Sequence, residues 1–132
     1  MMHAPLPLTR DLVMVGGGHT HALVLRRWGM KPVPGVRLTL INPAAAAPYT
    51  GMLPGLVAGH YADHELDIDV VRLARFAGAR MIPGIVSDLD PEAKTVSVAG
   101  RPPIRYDVLS LDFGVGWANP AIDGFDEHAV PV

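Results

Sequence analysis

The chain opens with a blocked pattern of apolar and polar positions that predicts alternating strands and helices. The run Asp11-Leu-Val-Met-Val15, apolar after its first residue and closed by Gly16-Gly-Gly18, predicts a buried parallel strand and a turn after it. Ala22, Leu25 and Gly29 then fall at helical spacing, and Gly29 and Pro32 predict where that helix ends. A second apolar run over 36–41 predicts another strand, so 10–43 reads as a right-handed βαβ unit with its glycines at the C-terminal end of the first strand. From 42 to 59 come Pro43, four alanines, Pro48, Gly51, Pro54, Gly55 and Gly59, a density of breakers that predicts a long loop or a broken short helix. Val70, Leu73, Ala74 and Ala77 repeat at i, i+3, i+4 and i+7, with Asp67 or Asp69 as cap and Gly78 as stop, and predict a second helix. Short β-rich runs follow at 81–86, 95–98 and 104–111, separated by Asp90-Pro-Glu-Ala-Lys94 and Gly100-Arg-Pro-Pro103. They predict a small antiparallel excursion that ends in a returning strand. The segment 114–132 has little periodicity and reads as an end that is cut rather than finished.

Composition narrows the class. A chain of 132 residues, 49% hydrophobic and 18% charged, suits one globular domain that buries roughly two-thirds of its unfolded surface. A net charge of −2 without a basic run gives no footprint for nucleic acid, and no apolar stretch is long enough to span a bilayer. With no cysteine, disulfides, thiolate metal sites and dithiol redox chemistry are excluded. The N-terminus carries no signal-like apolar core, so the expectation is a cytoplasmic protein.

The glycine run carries the candidate chemistry. Gly16 can supply the tight turn out of the strand and Gly18 a close backbone approach to a ligand, after which the first helical N–H groups face the phosphate oxygens of a dinucleotide. The third position of this fingerprint is His21, where Gly or Ala usually lets helix and strand pack closely. The plain alternative is a structural turn.

With Gly16-Gly-Gly-His-Thr-His21, the loop Tyr49-Thr-Gly-Met-Leu-Pro-Gly55 and the strand Tyr106-Asp-Val-Leu-Ser-Leu-Asp-Phe-Gly114, nearly the whole chain resembles a known group. That group is the FAD-binding N-terminal part of the pyridine nucleotide-disulfide oxidoreductase superfamily. Within it the chain is similar to the NADH-dehydrogenase-like FAD subunit found alone or fused ahead of selenide, water dikinase. The resemblance implies a Rossmann-like three-layer FAD/NAD(P)-binding domain with a parallel sheet and a small antiparallel excursion, truncated. Its parts are the unit 10–43, a cofactor-side loop 44–66, helix and strands 67–114 and an irregular tail 115–132.

It also implies site residues. Gly16, Gly17, Gly18, His19 and Thr20 would hold the FAD pyrophosphate, and Asn42 with Pro43 would stand at the adenosine ribose, where a carboxylate is common. Val86 would meet adenine through its backbone, and Gly114 belongs to a turn against the cofactor. Asp112, in that same turn, departs from the family pattern, since a carboxylate near a pyrophosphate repels it unless turned away or hydrogen-bonded. The implied activity is hydride transfer from NAD(P)H to FAD in a longer protein, whose remaining half and nicotinamide-binding domain would complete this one. A fragment alone is expected to be inactive, to bind cofactor poorly and to self-associate through uncovered apolar surface and a sheet edge.

Other residues carry weaker chemistry. His19 and His21 diverge on a helix and are expected in a capping or loop role, while His60 and His64 could share a helical face but lack a third ligand and are expected at the surface, so no metal role is assigned. Tyr49 and Met52 either line the flavin side or pack their loop, and Trp28 and Trp117 are expected as packing anchors. No residue is assigned a catalytic role. Two rivals stay open: the nicotinamide-binding domain of an ordinary dehydrogenase, and a non-catalytic nucleotide-binding module.

Overall fold

The computed structural model describes residues 7–8, 10–114 and 119–129. In chain order the regular elements are β1 (Arg10–Val15), α1 (His19–Met30), β2 (Val36–Asn42), β3 (Ala46–Pro48), α2 (Leu53–Val57), β4 (Asp67–Asp69), α3 (Val70–Ala77) and β5 (Arg80–Pro83). They continue as β6 (Val86–Asp90), β7 (Thr95–Val98), β8 (Ile104–Arg105), β9 (Val108–Leu111) and α4 (Phe125–His128).

Four strands form a parallel sheet in the order β5-β2-β1-β9, so that β1 sits between β2 and β9. Because side chains alternate across a strand, an apolar run can supply two cores. Met14, Leu38 and Leu40 face α1 and α3 and pack with Leu25, Val70, Ala74 and Ala77. Val13, Val15 and Ile41 face the other way and pack with Ile82, Val96, Val98 and Tyr106 under the antiparallel sheet β6-β7-β8. The layers are therefore helices, parallel sheet and antiparallel sheet, which is the three-layer α/β arrangement expected from the sequence. No described helix is long and apolar enough to cross a membrane.

The periodic segments formed where the pattern placed them. The buried stripe of α3 is Val70, Ala74 and Ala77; Asp69 caps it by accepting from the Arg72 N–H at 2.8 Å, and Gly78 closes its C-terminus. Asp67, the other candidate cap, lies in β4. The stripe of α1 is turned relative to expectation: His21 and Leu25 are buried, while Ala22 and Gly29 are only half-buried at its flank.

Three expectations need correction. The breaker-rich stretch after β2 is not all loop or broken helix, because Ala46–Pro48 pairs antiparallel with Asp67–Asp69 before the short α2. The run 81–86 is not one strand: the chain breaks at Gly84, leaving β5 in the parallel sheet and β6 in the antiparallel one. The run 104–111 divides in the same way, with β8 paired to β7 and β9 to β1. A strand that serves two sheets must bend between them, and these breaks are those bends. In the expected irregular tail, 119–129 contains the helical turn α4, whereas 115–118 with Trp117, and 130–132, lie outside the described residues.

Candidate functional site

The site is built where β1 turns into α1. The chain leaves β1 at Gly16 with φ of +93°, a conformation that costs an L side chain dearly. A Cβ on Gly16 would also overlap the backbone carbonyl of Asp112, the residue following β9. Each glycine of the run then spends its N–H on fixing the turn. Gly16 donates to the Ile41 carbonyl at 2.8 Å, Gly17 to the Asn42 side-chain oxygen at 2.9 Å and Gly18 to the Asp112 carbonyl at 3.1 Å. Beyond them, the N–H groups of His19 and Thr20, the first two of α1, have no acceptor among the described residues. Two such donors at a helix start, with the positive end of the helix dipole behind them, make a corner suited to an anion.

His21, expected at a cap or in a loop, is instead buried between helix and sheet. Its side chain is 2% exposed, with Nδ1 2.7 Å from the Gly16 carbonyl and Nε2 2.8 Å from the Ser110 hydroxyl of β9. A carbonyl can only accept, so Nδ1 carries the proton, and in the neutral ring Nε2 accepts from Ser110. The small Ser110 side chain leaves room for the imidazole, which bonds helix to sheet where a small residue would merely allow close packing.

Next to the glycine turn lies a cavity of about 540 Å³ at the C-terminal ends of the parallel strands, where open α/β sheets bind ligands. Its walls come from all four strands or the residues just after them, including Val15, Ile41, Gly84 and Leu111, with β6 and Val96 as the far side. The lining is largely apolar, as ligand cavities of about 300–1,000 Å³ usually are.

Of the nine residues expected at a cofactor, Gly16, Asn42, Pro43, Val86 and Gly114 line this one cavity. Gly17, Gly18, His19 and Thr20 do not line it, and belong instead to the turn and the helix start beside it. Asn42, expected at a ribose, is 7% exposed and uses both halves of its amide inward: Oδ1 accepts from Gly17 and Nδ2 donates to the Ala44 carbonyl at 2.7 Å. Tyr49 is 39% exposed and places its ring 5.8 Å from that of His19, tilted by 55°; neither Tyr49 nor Met52 reaches the cavity. His60 and His64 are exposed. Asp112 is hydrogen-bonded, one of the two conditions the sequence set for it, and its Oδ2 accepts from the His21 N–H at 3.0 Å.

Ile85, Leu89 and Phe113 also line the cavity and were not expected there. Phe113 adjoins the expected Gly114, but Leu89 lies three residues after Val86 and shares its face only through the register shift between Val86 and Asp88, which no period-two pattern signals.

The fold is that of Rossmann-like dinucleotide-binding domains. It matches sulfide:quinone oxidoreductase from the hyperthermophilic bacterium Aquifex aeolicus with a TM-score of 0.70, at 22% identity over 90% of this chain and 27% of that one. The NAD-dependent persulfide reductase from A. fulgidus gives 0.66 at 20% identity over 88% of this chain and 24% of that one. NDH2 from Plasmodium falciparum, solved in complex with NADH, gives 0.67 at 19% identity over 91% and 25%. The chain thus spans about a quarter of the length of the solved proteins it resembles. Neither a protein-family model nor a curated protein matches the sequence.

Proposed function

We propose that this chain is the FAD-binding portion of a flavin-dependent NAD(P)H oxidoreductase of the pyridine nucleotide-disulfide oxidoreductase kind, nearest to the NADH-dehydrogenase-like FAD subunits. The observation that carries the proposal is one juxtaposition: Gly16 is both a wall of the apolar cavity and the turn into a helix whose first two N–H groups lack acceptors among the described residues. A dinucleotide has the same two halves, a flat apolar-faced base and a diphosphate, in the same order.

The residues present fit that ligand. His19 and Thr20 would donate backbone N–H groups to the pyrophosphate, and Val86, Ile41 and Leu111 would enclose the adenosine end and exclude water from it. Asn42 and His21 act one step back, holding the turn from two sides so that the donors keep their direction. Bound FAD would supply the redox chemistry, accepting hydride from NAD(P)H, the co-substrate of the whole protein, and passing electrons on to an acceptor. Solved proteins of this fold bear the names sulfide:quinone oxidoreductase and NAD-dependent persulfide reductase, which supports an oxidoreductase.

A nicotinamide-binding domain is served less well, because the small antiparallel sheet β6-β7-β8 that follows α3 suits the flavoprotein kind better. The test is the visible spectrum of the natively purified full-length protein, before and after NADH is added without oxygen. Flavin absorbance that bleaches on NADH is the expected result. A colourless protein that takes up no added FAD would refute the proposal.

A further inference from the structure

The corner that offers two N–H groups to an anion already holds a carboxylate. Asp112 Oδ2 accepts from the His21 N–H, the third of α1, at 3.0 Å, so a negative charge of the protein stands one residue beyond the two donors that have no acceptor among the described residues. The carboxylate lies directly over the glycine turn, because a Cβ on Gly18 would overlap all three of its atoms. Its backbone cannot retreat: Asp112 donates its N–H to the Val15 carbonyl at 2.9 Å and accepts from Gly18 at 3.1 Å, which locks the residue to both sides of the turn. No Lys or Arg forms an ion pair with it among the described residues, where the ion pairs are Arg37–Asp11 and His128–Glu127. The helix start is therefore the group that balances this charge, and a phosphate would compete for the same field.

We infer that Asp112 is a specificity-determining residue, whose carboxylate lowers the affinity of the corner for a diphosphate while leaving recognition of the base and ribose unchanged. The inference rests on the dinucleotide reading above and adds what sets the strength of that binding. A diphosphate docking at His19 and Thr20 must either rotate the carboxylate away from the His21 N–H or sit beside it, and both lose free energy that an uncharged side chain would not cost. The penalty falls on ligands according to their charge near the turn, so adenosine escapes it and ADP and FAD do not.

The test compares the full chain with Asp112→Asn, which keeps an acceptor for the His21 N–H and removes the charge, and with Asp112→Ser as a second uncharged variant should the first fold poorly. Adenosine, ADP and FAD are titrated into each and followed by amide NMR shifts, which report weak binding as well as tight. Removing one charge beside a diphosphate at a partly exposed site is expected to raise ADP and FAD affinity on the order of tenfold, with adenosine unchanged. Raising the salt to about 0.5 M should shrink the gain, since screening acts over only a few ångströms there. Equal ADP affinity in all three proteins, or a gain that adenosine shares, would overturn the inference and leave the dinucleotide reading standing. Failure of the unaltered chain and of both variants to bind either ADP or FAD would instead overturn that reading, and this inference with it.

Discussion

Replacing His21 by alanine removes the bond between helix and sheet at the base of the site, and the structure sets the size of the effect. The imidazole is 2% exposed and makes two short hydrogen bonds, to the Gly16 carbonyl and the Ser110 hydroxyl. Each bond contributes about 1 kcal/mol net, and a buried polar partner left without one costs about 1–3 kcal/mol. The emptied ring volume adds a cavity penalty, while the better helix propensity of alanine returns about 0.5 kcal/mol. The sum is a loss of about 3 kcal/mol, read as a fall of about 1–3 M in the urea midpoint with an unchanged slope. Equilibrium unfolding followed by circular dichroism measures it, with Thr20→Ala, on the exposed side of the same turn, as a control within about 0.5 kcal/mol of the unaltered chain. Ser110→Ala breaks one of the two bonds and should couple to His21→Ala by about 1 kcal/mol in a double-mutant cycle. A loss below about 1 kcal/mol for His21→Ala, or strict additivity with Ser110→Ala, would show that the imidazole merely fills space.

Other substitutions test the turn and the core. Gly16→Ala combines φ of +93° with overlap on the Asp112 carbonyl, and should cost more than about 3 kcal/mol or prevent folding, as judged by loss of dispersed amide resonances. Asn42→Leu strands the Gly17 N–H and the Ala44 carbonyl, so thermal melting should report a loss of about 2–4 kcal/mol and amide exchange at Gly17 should quicken. Leu25→Ala empties the centre of the helix-side core, where Leu25 is 0% exposed, and should cost about 2–5 kcal/mol in urea unfolding. Asp11 holds the Arg37 guanidinium above its ordinary range, by hydrogen bonding first and charge attraction second. A raised folded value means that this stabilisation is undiminished across the neutral range and is lost on the alkaline side only as pH rises through that value. Asp11→Asn should therefore shift stability by no more than about 0.5 kcal/mol, by the same amount at about pH 6 and pH 9.

The parts of the fold that were legible in the sequence are those with one period over many residues. β1, α1, β2 and α3 each carry their own pattern, and Asp69 and Gly78 mark the ends of α3. Pairing between three-residue strands is different, since Ala46–Pro48 and Asp67–Asp69 have no periodicity to read and exist only because their loops meet. The break at Gly84 was hidden inside an apolar run, as both sheets ask for the same residue types there. At the site, the glycine turn was local and therefore legible. The roles of Asn42, His21 and Asp112 were not, because each depends on a partner far along the chain: 25 positions from Gly17 to Asn42, 89 from His21 to Ser110 and 91 from His21 to Asp112. The family resemblance implied a ribose contact for Asn42 from its position at the end of β2, and only the structure shows its amide bonded to Gly17 and Ala44.

Whether a dinucleotide lies along this turn and cavity is tested most directly by titrating FAD into the ¹⁵N-labelled chain and mapping the amide shifts. The expected result is a single saturable set of perturbations at His19, Thr20, Val86 and Gly114, with Arg101 and Arg105 at the far end of the sheet unmoved. Shifts confined to other surfaces, or none at millimolar FAD, would refute the assignment of this corner as a dinucleotide site.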